Sequence, residues 1–133
     1  VFGHYFSNQI YLLPTLLRQS ITKRKISIII NKNSKKNYLN VNDAINVILK
    51  IINKSKHQIY NVASDKQISI GQISEKIKKF TNCKVLYKNS NIIFNEPKIN
   101  IQRIKKEFNF KPEIKFDKEI QKIIRNYKKF KNA

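Results

Sequence analysis

Tyr127 and Lys131 lie four residues apart, a spacing that puts both on one face of a helix. An ammonium beside a phenol favours the phenolate, which is the chemistry of a tyrosine acid–base. The pair does not support that reading here. Six tyrosines among this many lysines should give about one such match by chance, and Tyr127 belongs to the apolar face of its own helix. Cys83 is the sole cysteine, so no intrachain disulfide can form. His4 and His57 are the only histidines, too few beside one cysteine for a Cys/His zinc set. The two glycines, Gly3 and Gly71, cannot build a glycine-rich dinucleotide loop. No catalytic residue, metal or bound cofactor is therefore expected within these 133 residues.

Charge points to two function classes. Lys and Arg number 28 against 8 Asp and Glu, a formal net charge of +20. Such a balance suits a polyanion partner, and a free-standing basic module that binds RNA is one reading. Lys, Ile and Asn together make up roughly half of the chain. AT-rich codons specify those three residues, and the lysines are spread over the whole length. Coding bias thus accounts for the charge without a nucleic-acid face, and a nucleic-acid partner is not the expectation. At 41% hydrophobic and 11% aromatic the chain is too apolar to be disordered. No apolar run approaches the ~18 residues of a membrane span, and no secretory leader is visible. A reducing cytoplasm is the expected setting.

The elements that must position any site alternate between helix and strand, as in an α/β or α+β layering. Residues 12–21 read as a helix that tolerates Pro14 only in its first turn. Residues 26–30 form a short apolar strand, 31–34 carry turn residues, and 38–41 are a second extended piece. A helix follows over 42–53, with Ala44, Val47, Ile48 and Ile51 as its apolar stripe. Residues 58–62 read as a strand. Ser69 and Gln72 form a capping box for the next helix, buried through Ile73, Ile77 and Phe80. Residues 85–87 and 92–94 are candidate strands. Asn100 caps a helix over 101–108, Asn109 ends it in a left-handed turn, and Asp117 caps the last helix. The apolar face of that last helix is Ile120, Ile123, Ile124, Tyr127 and Phe130.

Five stretches, in order, are similar to one family. The run KNYLNVNDA at 36–44 resembles the R-D-Y-x-x-V-x-D segment of extended short-chain dehydrogenases/reductases of the NAD-dependent epimerase/dehydratase kind. Val1, Phe2 and Gly3 resemble the end of its N-V-Y/F-G segment, and 59–64 its Y-N-containing strand. Residues 67–70 resemble its helix start before an E-L pair. Residues 99–112, with Arg103, Glu107, Asn109 and Pro112, resemble its S-K-x-x-x-E-L-G-F-x-P segment. The chain departs from the pattern at Lys36, where Arg is usual, at Asn37 and Asn100, where Asp is usual, and at Asn109, where Gly is usual.

The resemblance implies a small α/β (α+β) substrate-binding lobe of about five helices and short strands, lacking most of the Rossmann sheet. The parent would be an NAD- or NADP-dependent nucleotide-sugar epimerase, dehydratase or reductase, in which this C-terminal portion grips the nucleotide-sugar. Lys36, Tyr38, Asn40 and Arg103 would face the substrate, with Lys36 a point charge on the diphosphate without the fork of Arg. Phe2 and Gly3 would line the seam with the cofactor. The partner would be the missing N-terminal Rossmann half, whose helices family dimers commonly use, so that a homodimeric parent is one possibility. The absence of Met fits a fragment whose redox half lies upstream. The DNA before Val1 should then encode a Y-x-x-x-K pair close by and a glycine-rich loop further back; a stop codon in frame immediately upstream would contradict this.

Overall fold

The computed structural model of the chain describes residues 11–88 and 91–131. Its order is α1 (Leu12–Thr22), β1 (Lys25–Ile28), β2 (Lys35–Asn37), α2 (Val41–Lys54), β3 (Gln67–Ser69), α3 (Ile70–Thr81), β4 (Lys84–Tyr87), α4 (Gln102–Phe108) and α5 (Phe116–Lys131). Five helices and short strands are the mixed α/β arrangement that the sequence implies.

β1 and β4 pair in parallel, Lys25 opposite Lys84 and Ile28 opposite Tyr87. A parallel pair cannot be closed by a tight turn, so the chain must leave and return between them. That excursion carries β2, α2, β3 and α3. Within it β2 and β3 pair antiparallel, Lys35 opposite Ser69 and Asn37 opposite Gln67. Ile26 and Ile28 alternate inward with exposed Lys25 and Ser27, the period-two pattern of a half-buried strand. They meet Leu13, Leu16 and Leu17 of α1, Ile73 and Ile77 of α3, and Ile120, Ile123 and Ile124 of α5 in the main core. Cys83 lies buried in the same cluster as a free thiol. A second core holds Leu39, Ala44, Val47, Ala63, Ile101, Ile104 and Phe110.

Local signals set several boundaries. Ser69 and Gln72 make the full capping box on α3. The remaining donors at that helix start find the 31–34 turn: Ile70 N–H donates to Ser34 O at 2.9 Å and Gly71 N–H to Lys32 O at 2.8 Å. Gly71 suits this approach, because a Cβ there would stand 3.3 Å from Lys32 O. Asn82 and Asn109 end α3 and α4 in the left-handed region, at φ 53° and 49°. α4 begins at Gln102, one residue later than expected, with Ile101 at the cap position; Asn100 Oδ1 still accepts from Gln102 N–H at 2.9 Å.

Other expectations need correction. The second extended piece is Lys35–Asn37, ahead of the expected 38–41, because its ladder partner β3 and the 94–96 segment flank those earlier residues. Residues 58–62 and 92–94 join no ladder among the described residues. Asp117 lies inside α5 and pairs with Lys76 of α3 instead of capping. Ile48 leaves the buried stripe of α2 and is exposed, while Asp43 enters it. Ile77 is fully buried in the main core. Ile77→Ala should therefore cost about 2–5 kcal/mol in urea unfolding, and Ile48→Ser should stay within about 0.5 kcal/mol. Equal costs would contradict this division between core and surface.

Candidate functional site

The joint from β2 into α2 is the first region to consider, because 36–44 turns there from strand to helix as the sequence implies. Three polar side chains hold it. Asn40, 1% exposed, caps α2 by accepting from Asn42 N–H at 2.8 Å. Its Nδ2 is buried with no hydrogen-bond partner among the described residues. Asp43, also buried, accepts from Glu113 N–H and Ile114 N–H at 3.2 Å each, tying the link before α5 to the first turn of α2. Glu96 accepts from Asn37 N–H at 2.7 Å and from Lys36 Nζ at 3.1 Å.

Residues 94–96 lie along β2 as a strap. Phe94 N–H donates to Ser34 Oγ at 3.0 Å, Lys35 N–H to Asn95 Oδ1 at 2.9 Å, and Glu96 N–H to Lys35 O at 3.0 Å. The Lys36–Glu96 pair is partly open to solvent, with side chains 23% and 42% exposed, so it contributes at most about 1 kcal/mol. Its greater effect is local: the cation at position 36 already faces a carboxylate. Tyr38 packs on the Phe116 ring at 5.8 Å between centroids. Burial, and then the negative charge of Glu96, push its hydroxyl from 10.0 up to about 12.

One cleft lies at this joint and a second lies away from it, beside the 31–33 turn. One, of about 470 Å³, is lined by Tyr38, Asn40, Asp43, Gln67, Lys76 and Asp117 among others. The other, of about 520 Å³, is lined by Ile30, Asn31, Lys32, Asn33, Tyr87, Lys88 and Asn91. The second lies just past the carboxyl ends of β1 and β4, the place where open parallel sheets bind ligands. Its walls combine an aromatic ring, an aliphatic side chain, two ammonium groups and amides. Tyr87 is held there by a short hydrogen bond between its hydroxyl and Ser74 Oγ.

Of the four substrate-facing residues implied by the sequence, Tyr38 and Asn40 meet in one cleft. Lys36 and Arg103 line neither. Arg103 sits on α4 and donates from Nη1 to Ile59 O at 2.6 Å. Glu107, part of the α4 resemblance, braces the fold. Both of its carboxylate oxygens lie 2.9 Å from Tyr60 Oη, and Lys56 N–H donates to it, which pins the end of α2 to α4. Phe2, Gly3 and His4 lie outside the described residues, as does the side chain of Lys131; Tyr127 is half-buried on α5. Glu96, Lys32, Tyr87 and Lys88 were not singled out from the sequence. Nothing local distinguishes Lys32 or Lys88 among so many lysines, and Glu96 finds its partners some 60 residues away. No group of histidine, cysteine and carboxylates able to hold a metal occurs among the described residues. Among them, no helix is long and apolar enough to cross a membrane.

No protein-family model matches the sequence, and no curated protein matches it. Solved structures do. The UDP-glucose 4-epimerase of Thermotoga maritima, solved with UDP-glucose, is similar over 97% of this chain and 43% of that one, with TM-score 0.80 and 12% identity. A GDP-L-fucose synthetase from Naegleria fowleri is similar over 99% and 44%, with TM-score 0.81 and 14% identity. The dTDP-glucose 4,6-dehydratase of Bacillus anthracis, solved with NAD, is similar over 92% and 40%, with TM-score 0.77 and 18% identity. The chain thus has a fold found in part of NAD-dependent epimerase/dehydratase-type enzymes, and it spans less than half the length of each.

Tyr38 offers a direct probe of the joint. The folded chain keeps the phenol protonated above pH 10.0, where the unperturbed group loses its proton, up to about 12. Its contribution to stability is complete below pH 10 and is lost as pH rises through that window. Ultraviolet titration, with Tyr38→Phe identifying the signal, should show a lower midpoint in Glu96→Gln that still exceeds 10.0, since burial remains. An unchanged midpoint would mean that Glu96 does not face the ring.

Proposed function

We propose that this chain is the substrate-binding portion of an NAD(P)-dependent enzyme acting on a nucleotide-sugar, and that the redox chemistry belongs to a separate portion. The observation that carries the reading is the cleft at the carboxyl ends of β1 and β4, within a fold shared with parts of such enzymes. Tyr87 offers a ring for a base to stack on, and Ile30 offers an apolar wall. Lys32 and Lys88 are ammonium charges of the right sign for a diphosphate. The chain passes from this cleft straight into β2, so Lys36 stands next to it in sequence and its pair with Glu96 can open toward a phosphate. Tyr38 and Asn40, on the other cleft, are proposed to contact the sugar side, and Arg103 the phosphate side.

A dinucleotide does not fit the described residues. The only glycine among them is Gly71, packed against Lys32 O, and a pyrophosphate needs a glycine-rich turn at a helix start. No step involving NAD(P) is therefore assigned to this chain, and Phe2 and Gly3 remain proposed contributors at the seam with the portion that holds it. The basic composition sustains one competing reading, RNA binding. It predicts an affinity that falls steeply with salt, whereas the described lysines occur on every helix except α1.

Calorimetric titration of the chain with UDP-glucose, dTDP-glucose and GDP-fucose tests the proposal. At least one should bind. Lys32→Ala should weaken that binding by about tenfold or more, as expected for one charge-assisted contact. The chain alone should show no epimerase or dehydrogenase turnover and no NADH binding. Absence of heat with all three ligands would remove the substrate-binding role, and turnover by the chain alone would remove the division of labour.

A further inference from the structure

A third cleft, of about 530 Å³, opens between the C-terminal ends of α2 and α4 and shares no lining residue with the two described above. Its lining includes three ammonium groups, Lys50 and Lys54 from α2 and Lys106 from α4, all exposed. Lys50 and Lys54 are four residues apart and so stand on one face of α2. None of the three enters an ion pair among the described residues. The single carboxylate of the lining, Glu107, is already engaged. Its side chain is only 12% exposed, both of its oxygens lie 2.9 Å from Tyr60 Oη, Lys56 N–H donates to Oε1 at 2.9 Å, and His57 Nε2 lies 3.8 Å from Oε2. Little of that charge is left to neutralise the lysines.

Helix polarity accounts for part of this arrangement. Lys54 and Lys106 sit in the last turns of α2 and α4, where a cation complements the partial negative charge of a helix end. It does not account for Lys50, one turn further back, because the effect fades beyond the last turn. The carbonyls at both ends are also partly served by the backbone: Ser55 N–H donates to Ile51 O and Asn109 N–H to Ile104 O. Like charges gathered round one hollow repel each other, and a ligand carrying several negative charges removes that cost. The rest of the lining narrows the ligand further. Leu49 and half-buried Phe108 supply an apolar wall, and Asn53 and Asn109 supply amides. A purely inorganic anion would leave the apolar wall unused.

We propose that this cleft is a second ligand site, and that it takes an organic polyphosphate: a compound with adjacent phosphates and an apolar or aromatic group, as in a nucleoside triphosphate. Lys50, Lys54 and Lys106 hold the phosphates as point charges. Asn53 and Asn109 donate amide hydrogens to the phosphate oxygens, and Leu49 and Phe108 cover the remaining group. Ammonium side chains do the holding, so no glycine-rich turn is needed. The site does not depend on the nucleotide-sugar reading, because it uses none of the residues assigned there. A strand of RNA suits it less well. Cations that bind such a strand follow its backbone along a groove, and here they surround one hollow.

Calorimetric titration of the chain with ATP and with inorganic triphosphate, in the absence of divalent cations, tests the site. ATP should bind, and more tightly than triphosphate, since only ATP has a group for the apolar wall. Lys54→Gln and Lys106→Gln should each weaken ATP by about fivefold or more, as expected for loss of one partly solvated charge contact. Both positions are exposed, so these variants should keep the fold and its melting temperature without ligand. Leu49→Ser should weaken ATP and leave triphosphate unchanged. Lys118→Gln, at an exposed position of α5, is the control and should leave both affinities as they were. An equal loss in Lys118→Gln would mean a general field of charge with no site. A loss confined to Lys32→Ala would put the anion in the cleft beyond β1 and β4. Either result, or no heat with both compounds, overturns the proposal, and equal affinity for the two overturns its assignment to an organic ligand.

Discussion

Two carboxylates and one amide hold the joint on which the rest of this structure depends. Glu96 gathers the end of β2 by accepting from Asn37 N–H and Lys36 Nζ. Asn40 turns the chain into α2, and Asp43 fastens that helix start to the 113–114 link. In a chain with only 8 acidic residues, two are committed to one strand-to-helix turn. The reason is geometric. β2 is three residues long and has few ladder bonds of its own, so side chains must supply what a longer sheet would provide.

Fixing that joint sets the two sides of the molecule. On one side the 31–34 turn is held against the start of α3, and this opens the cleft beyond β1 and β4. On the other, α2 is aimed so that Ala44 and Val47 enter the second core while Ile45, Ile48, Leu49 and Ile52 face outward. The cleft and the outward side of α2 are thus set by two groups of contacts, those of the 31–34 turn with α3 and those of the joint.

The charge balance takes on a different meaning in this light. Lysines outnumber carboxylates throughout, but the described ion pairs are few and partly solvated, each contributing little. The main core is built chiefly from isoleucine and leucine instead, and the second core adds Phe110 with Tyr60 and Phe108 packed against it. Positive charge in this chain is a surface condition that biases which partners approach, and the fold does not depend on it.

Much of the fold was legible in the sequence because its signals are local. The Ser69–Gln72 capping box, Pro14 in the first turn of α1, the left-handed Asn109 and the period of Ile120, Ile123 and Ile124 each depend on neighbours within a turn or two, and each is found where the residues place it. The resemblance over 36–44 likewise led to a strand-to-helix joint. What sequence could not supply was pairing at a distance. Whether Ile48 is core or surface depends on the roll of α2, which Asp43 sets through residues 70 positions away. Whether the Lys36 ammonium faces a carboxylate depends on Glu96, and residues 58–62 join no ladder among the described residues despite their strand-like composition. Periodicity says that a face is apolar; only tertiary contacts say which apolar face is already covered.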